Sequence, residues 1–151
     1  MFLLIFQKFK FYKVKEVGLI NRGLAKILSE QGHQDLLMIV DAGFPIPKEV
    51  EVIDISLSIN NPMVVIVLAE LKKFFSVERM IMANQTKETS PTLFAAISQS
   101  FGANIPVETI DHADLKHLAK TVKAIIRTGD FTAYGNVILV SGSGDRWYRE
   151  K

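Results

Sequence analysis

The amino-acid sequence predicts an α/β fold, a three-layer α/β/α sandwich with a mostly parallel sheet of about six strands. Three observations carry that expectation. Short apolar runs of strand length alternate along the chain with segments of helical length and capping chemistry. Several of those runs are apolar throughout, the pattern of strands covered on both faces. The length of 151 residues suits one well-cored domain and is too short for two ordinary ones.

Asn21 followed by residues 22–31 and then Gly32 reads as a helix with an Asn N-cap and a Gly stop, placing Leu24, Ile27 and Leu28 on one face. Residues 36–40, LLMIV, form a short strand that ends at Asp41, because Gly43, Pro45 and Pro47 forbid both helix and ladder. Residues 51–57 alternate as a second strand. Residues 62–75 are rich in Val and Ile. Even so, Asn61 as cap, Pro62 at the first helical position and an uninterrupted run predict a buried helix.

Beyond it, residues 79–83 read as a strand, 90–101 as a helix opened by Ser90 and Pro91, and 106–110 as a strand. Asp111 then caps a helix over 112–122. Residues 124–129 supply a strand and turn, and 136–142 a last strand. In sheets of this class ligands gather at the carboxyl ends of strands.

Composition narrows the function classes. Hydrophobic residues make up 48% and charged residues 23%, with a mean hydropathy of +0.21, which excludes disorder and leaves apolar surface for partners, so an oligomer is expected. There is no Cys, hence no disulfide staple, zinc knuckle or thiol nucleophile, and a reducing cytoplasm fits. The net charge of +2 arises from 18 basic and 16 acidic residues and gives no mandate for nucleic acid.

Residues 1–13 hold four of the ten Phe and three Lys with no acid, so removing them takes the net charge from +2 to −1. Their six leading apolar residues lack a preceding positive charge and a cleavage site, and are too few to cross a bilayer. We expect a non-native extension or a misassigned start, with Val14 as an alternative start, and no membrane association. The domain organisation expected is therefore an extension over 1–13, one domain over 14–142 and a tail over 143–151, in which Trp147 and Tyr148 pack on the domain or on a neighbour.

The chain has no G-x-G-x-x-G after a strand, no Gly-rich loop ending in Lys-Ser/Thr and no G-x-S-x-G elbow, so dinucleotide, P-loop and hydrolase readings lack their parts. Of the three His, His112 and His117 are five apart on a helix, roughly 140° around its axis, and do not form an i, i+4 metal pair; no metal site is expected. His33 lies in a polar turn eight residues before Asp41, and across a short strand the two can bracket a pocket. By residue type alone a loop His is more often solvated, and an Asp after a strand often caps the next turn. The residues themselves make the pair an acid/base candidate and no more. Tyr134-Gly135-Asn136 enters the last strand with donors and acceptors suited to sugar hydroxyls, although the same tripeptide also serves as an ordinary turn.

Three ordered segments, GHQDLLMIVDAGFPIP, IDISL and AIIRTGDFTAYGNVIL, resemble the ribose pyranase branch of the bacterial ribose/fucose mutarotase family. The match runs in register over residues 17–142, about five-sixths of the chain, and includes the spacing from His112 to the Arg-Thr-Gly-Asp turn. The resemblance implies an α/β/α domain assembled into a cytoplasmic, ring-shaped homodecamer. Its activity would be that of an isomerase in carbohydrate metabolism, interconverting the pyranose and furanose forms of D-ribose without a cofactor and supplying furanose to ribokinase.

Carried over by position, the resemblance makes His33 the general acid and Asp41 a sugar-binding carboxylate. It makes His112, Lys116, Tyr134, Asn136 and the backbone of Gly135 further sugar-binding groups, all meeting at subunit boundaries. Two departures stand out: Ala83-Asn84-Gln85 replaces an Ala-Glu-Glu frequent in the branch, and about nine residues follow the last strand. Gly135 also occurs in the fucose branch, which keeps a fucose mutarotase open beside the ribose reading, with a non-catalytic sugar-binding oligomer as a third.

Overall fold

The computed structural model describes residues 14–144, 147, 148 and 150; the expected extension over 1–13 lies outside the described residues. Six strands form one sheet: β1 (Leu36–Val40), β2 (Glu51–Asp54), β3 (Val77–Ala83), β4 (Val107–Ile110), β5 (Ala124–Arg127) and β6 (Val137–Ser141). Their spatial order is β2-β5-β1-β6-β3-β4. β1 pairs in parallel with β5, β5 with β2, and β3 with β4, whereas β6 runs antiparallel to both β1 and β3. The sheet is thus mostly parallel with one reversed strand inside it. The reversal brings the amino end of β6, carrying residues 134–136, beside the carboxyl end of β1.

Alternation along the strands divides the core in two. Leu37, Ile39, Met80, Met82, Ile126, Val137 and Leu139 face a layer made by α1 (Arg22–Ser29), α2 (Val64–Leu71) and α4 (Pro91–Gln99). Met38, Val40, Ile81, Ile125, Ile138 and Val140 face α5 (His112–Leu118) and the segment from Phe44 to Val50. Because both faces are covered, the inner strands carry no polar alternation. Burying each such side chain is worth about 1.5–3 kcal/mol.

The helices depart from expectation in instructive ways. Asn21 caps α1 as expected, accepting the Leu24 N–H at 3.0 Å, but the helix stops at Ser29, short of Gln31. β2 likewise ends at Asp54 rather than 57, and α5 ends at Leu118 rather than 122. The expected cap at Asn61 and Pro62 is wrong: α2 begins at Val64, and no local side chain caps it. Its first N–H donates instead to Asp130 Oδ2 at 2.9 Å, a carboxylate 66 residues away that is buried against the helix N-terminus. Pro91 does stand at the first helical positions of α4, but the Ser90 hydroxyl leaves the cap and donates to Ala133 O at 2.9 Å. A short helix, α3 (Asn84–Thr89), was not anticipated. Among the described residues no helix is long and apolar enough to cross a membrane.

Candidate functional site

The carboxyl ends of β1, β4 and β5 and the amino end of β6 converge on one edge of the sheet. Asp41 follows β1 directly. Its backbone N–H donates to Asn136 Oδ1 at 3.0 Å, and Asn136 Nδ2 donates back to Asp41 Oδ2 at 2.9 Å. The other carboxylate oxygen, Oδ1, accepts the Gly43 N–H at 2.9 Å. Asn136 is buried, so its amide is committed to this pairing and fixes where the Asp41 carboxylate points.

The Arg-Thr-Gly-Asp turn after β5 holds the Asp41 segment from the other side. Arg127 Nη2 donates to Ala42 O at 2.8 Å, while Nη1 donates to Asp54 Oδ2 at 2.9 Å and Ser56 Oγ at 2.7 Å. The Thr128 hydroxyl donates to Val40 O at 2.8 Å, and the Ala42 N–H donates to Asp130 O at 2.9 Å. The backbone on both sides of Asp41 is therefore tied to residues 127–130. Gly129 permits the turn to lie against residues 58–61: a Cβ there would stand 2.3 Å from Ser58 O and 2.7 Å from Asn61 O.

His112 opens α5, and Lys116 stands one turn further on the same face. Asp111 caps the helix by accepting the Ala113 N–H at 2.8 Å, while Gln85 bridges two groups. It donates to Asp111 Oδ2 at 3.0 Å and accepts the His112 N–H at 3.1 Å. Gln85, one of the two departures from the acidic pair, thus does something no carboxylate could, since an ionised Glu cannot donate. The imidazole of His112 stands edge-on to Tyr134, with centroids 5.0 Å apart, and to Phe44 at 6.2 Å. Burial, and then the Lys116 charge, push the His112 pKa below its ordinary value against the opposing pull of Asp41 and Asp111. That shift favours the neutral ring, and its buried Nδ1 has no hydrogen-bond partner among the described residues.

Tyr134 adopts a left-handed backbone, φ 58°, uncommon for a bulky residue and found mostly where surrounding structure imposes it. The residue is anchored in that conformation through its carbonyl oxygen, which accepts the buried Thr86 hydroxyl of α3 and the Asn136 N–H, each at 2.8 Å. Gly135 is packed rather than twisted, with an added Cβ 3.1 Å from Thr132 O and 3.3 Å from Leu93 Cδ2. Asp41, Phe44, His112, Lys116, Tyr134 and Asn136 together line a cavity of about 290 Å3. A second hollow of about 310 Å3, lined by Arg127 and Phe131, shares Asp41 with it.

His33 is elsewhere. It precedes β1, whereas Asp41 follows it, so the two lie on the order of 20 Å apart at opposite ends of the sheet. The expectation that they bracket one pocket is overturned for a single chain, because a strand that separates two residues along its length also separates the edges they occupy. His33 lines a cavity of about 530 Å3 with Gln31, Phe74, Phe75, Ser141 and Trp147, and its Nε2 lies 2.9 Å from Glu78 Oε2. Trp147 of the tail forms part of that wall yet remains 78% exposed. Among the described residues no group of three or more His, Asp or Glu is placed to hold a metal ion.

The sequence reading missed Phe44, Thr86, Arg127, Thr128 and Asp130, and singled out Gln85 only as a departure from the branch's acidic pair. The Arg-Thr-Gly-Asp turn was visible as a motif, but its bonds to residues 40–42 were not.

Residues 14–143 match the model of the RbsD / FucU transport protein family. The chain belongs to the RbsD/FucU family. Its relatives include the D-ribose pyranase of Halalkalibacterium halodurans, 43% identical over 129 residues, covering 85% of this chain and 98% of the relative. Another is that of Coprothermobacter proteolyticus, 39% identical with the same coverage. The structure of Bacillus subtilis RbsD complexed with D-ribose superposes with a TM-score of 0.82 at 37% identity, covering 87% of this chain and 99% of that one. A fucose mutarotase from Streptococcus pneumoniae shares the fold at a TM-score of 0.62 and 18% identity, covering 83% of this chain and 94% of that one. The RbsD/FucU architecture thus accounts for the mixed sheet.

Proposed function

We propose that this RbsD/FucU chain is a D-ribose pyranase, an isomerase that interconverts the pyranose and furanose forms of D-ribose. The observation that carries the reading is the Asp41–Asn136 pair, set in a small hollow with His112, Lys116 and Tyr134. Such a hollow offers several directed acceptors and donors and an aromatic wall, the requirements for holding a pentose by its hydroxyls and its apolar face. The pyranase relatives and the ribose-bound RbsD neighbour supply the substrate class.

Ring opening moves one proton onto the ring oxygen as its bond to the anomeric carbon breaks, while the anomeric hydroxyl gives a proton to water. Closure reverses both transfers with a different hydroxyl attacking, so the protein returns unchanged. In this reading His33 is the proton donor, Asp41 binds sugar hydroxyls, and His112, Lys116, Tyr134, Asn136 and the Gly135 backbone hold the open chain. A donor must come within about 3 Å of the oxygen it protonates, so His33 must come from a second copy. We infer a homo-oligomer, a ring-shaped decamer, with each site completed at a subunit boundary, in the cytoplasm, delivering furanose to a kinase that phosphorylates ribose. The functional unit is the domain over residues 14–142, with 1–13 an extension and 143–151 a tail.

Exchange NMR on D-ribose and on fucose tests the reading. Faster pyranose–furanose exchange of ribose, exceeding any effect on fucose anomers, is expected. Acceleration of fucose alone would assign the chain to the other branch, and binding without acceleration would make it a sugar-binding oligomer.

A further inference from the structure

We propose that Glu78 is a positioning residue for His33, holding the imidazole in the Nε2–H tautomer and leaving Nδ1 as the atom that exchanges protons with the sugar. This rests on the reading of His33 as the general acid. An ionised carboxylate accepts and cannot donate, so the ring nitrogen 2.9 Å from Glu78 Oε2 must carry the hydrogen. In the neutral ring Nδ1 then holds the lone pair, and in the imidazolium it holds the mobile proton. During ring opening that proton passes from Nδ1 to the ring oxygen. During closure the attacking hydroxyl returns one to Nδ1.

The pair is set on a braced platform rather than on two free side chains. The Gln34 N–H donates to Ser141 O at 2.7 Å and the Ser141 N–H to Asp35 O at 2.9 Å, locking the His33 turn to the end of β6. The Gly142 N–H donates to Ser76 O at 3.0 Å, joining that same end to the start of β3, where Glu78 sits. The Asp35 carboxylate accepts the Gly32 N–H at 2.7 Å and Lys123 Nζ at 2.8 Å, closing the turn from the other side. Gly142 is what lets β6 approach so closely, since a Cβ there would lie 2.6 Å from Glu78 Cβ and 2.9 Å from Glu78 N. Three segments distant in sequence thus converge to keep one carboxylate against one imidazole.

The test reads the tautomer directly by imidazole 15N chemical shifts of the full chain, together with kcat and KM for ribose exchange. The unsubstituted protein is expected to show His33 in the Nε2–H form. Glu78→Ala should convert it to a mixture and lower kcat on the order of tenfold, with KM changed by less than about twofold. Glu78→Asp keeps an acceptor-only carboxylate and should retain the tautomer and part of kcat, whereas Glu78→Gln, whose amide donates as well as accepts, should leave a tautomer mixture and a lowered kcat. An Nδ1–H ring in the unsubstituted protein, or an unchanged tautomer in Glu78→Ala, overturns the inference. So does wild-type kcat in Glu78→Ala when His33→Ala has lost activity. Full activity in His33→Ala overturns instead the reading of His33 beneath it.

Discussion

Asp41 and Asn136 hold each other twice, backbone N–H to side-chain oxygen at 3.0 Å and side-chain N–H to carboxylate at 2.9 Å, across the boundary between a parallel strand and a reversed one. The pairing exists because β6 runs against β1 with Ile39 opposite Val137, which brings Asn136, just before β6, diagonally beside Asp41, just after β1. Asn suits it because its short side chain carries a donor and an acceptor on adjacent atoms of one planar amide.

Asn136→Asp removes the donor and sets a second carboxylate against Asp41 in a buried position. We expect a loss of about 2–3 kcal/mol at pH 7 by chemical denaturation. The repulsion raises the pKa of one carboxyl in the folded state, so stability is regained as pH falls through that raised value. A variant as stable as wild type at pH 7 would refute the pairing.

Arg127→Met keeps the stem and removes three hydrogen bonds, among them the one to Ala42 O that steadies the Asp41 turn. Ribose affinity in an NMR titration is expected to fall by about tenfold, with a stability loss of about 1–3 kcal/mol. Unaltered affinity would show that the turn holds its shape without the guanidinium.

His112 gives a pH dependence of known sign. Its pKa is lowered on folding, first by burial and then by Lys116, so the unfolded chain binds the proton more readily. The stability it contributes is full above about pH 6.5 and is lost as pH falls from there through the lower folded value. Denaturation midpoints compared between wild type and His112→Asn should converge toward acid pH. A gap that widens on acidification would reverse the assignment.

Gly129→Ala places a methyl group against two carbonyl oxygens of residues 58–61, which are backbone and have no rotamer to change. A loss of about 2–4 kcal/mol is expected, read as a fall in Tm. A change within about 0.5 kcal/mol would mean that the 58–61 turn moves aside freely.

What could be read in the sequence follows from how local each cause is. The strands were legible because a buried strand writes its burial into consecutive apolar residues, and Asn21 and Asp111 were legible as caps because each bonds an N–H two or three residues away. The start of α2 was misread because its cap, Asp130, is 66 residues distant. α3 went unseen because NQTKET carries no apolar period and contributes Thr86 alone to the interior. The direction of β6 has no sequence signature, since a strand buried on both faces reads alike in either sense. Most of the sugar-site residues were named through the family resemblance, and the sequence placed His33 before β1 and Asp41 after it, yet the strand's shortness suggested one pocket where the structure puts the two residues in separate cavities.

That separation makes the composite site the central claim, and complementation tests it most directly. His33→Ala and Asp41→Ala variants should each lose acceleration of D-ribose pyranose–furanose exchange by NMR. Co-expressed, they should regain part of it, because hybrid assemblies contain boundaries with an intact His33 from one copy and an intact Asp41 from the other. Loss in both single variants with no recovery in the co-expressed mixture, when mass analysis shows that hybrids have formed, would contradict the account.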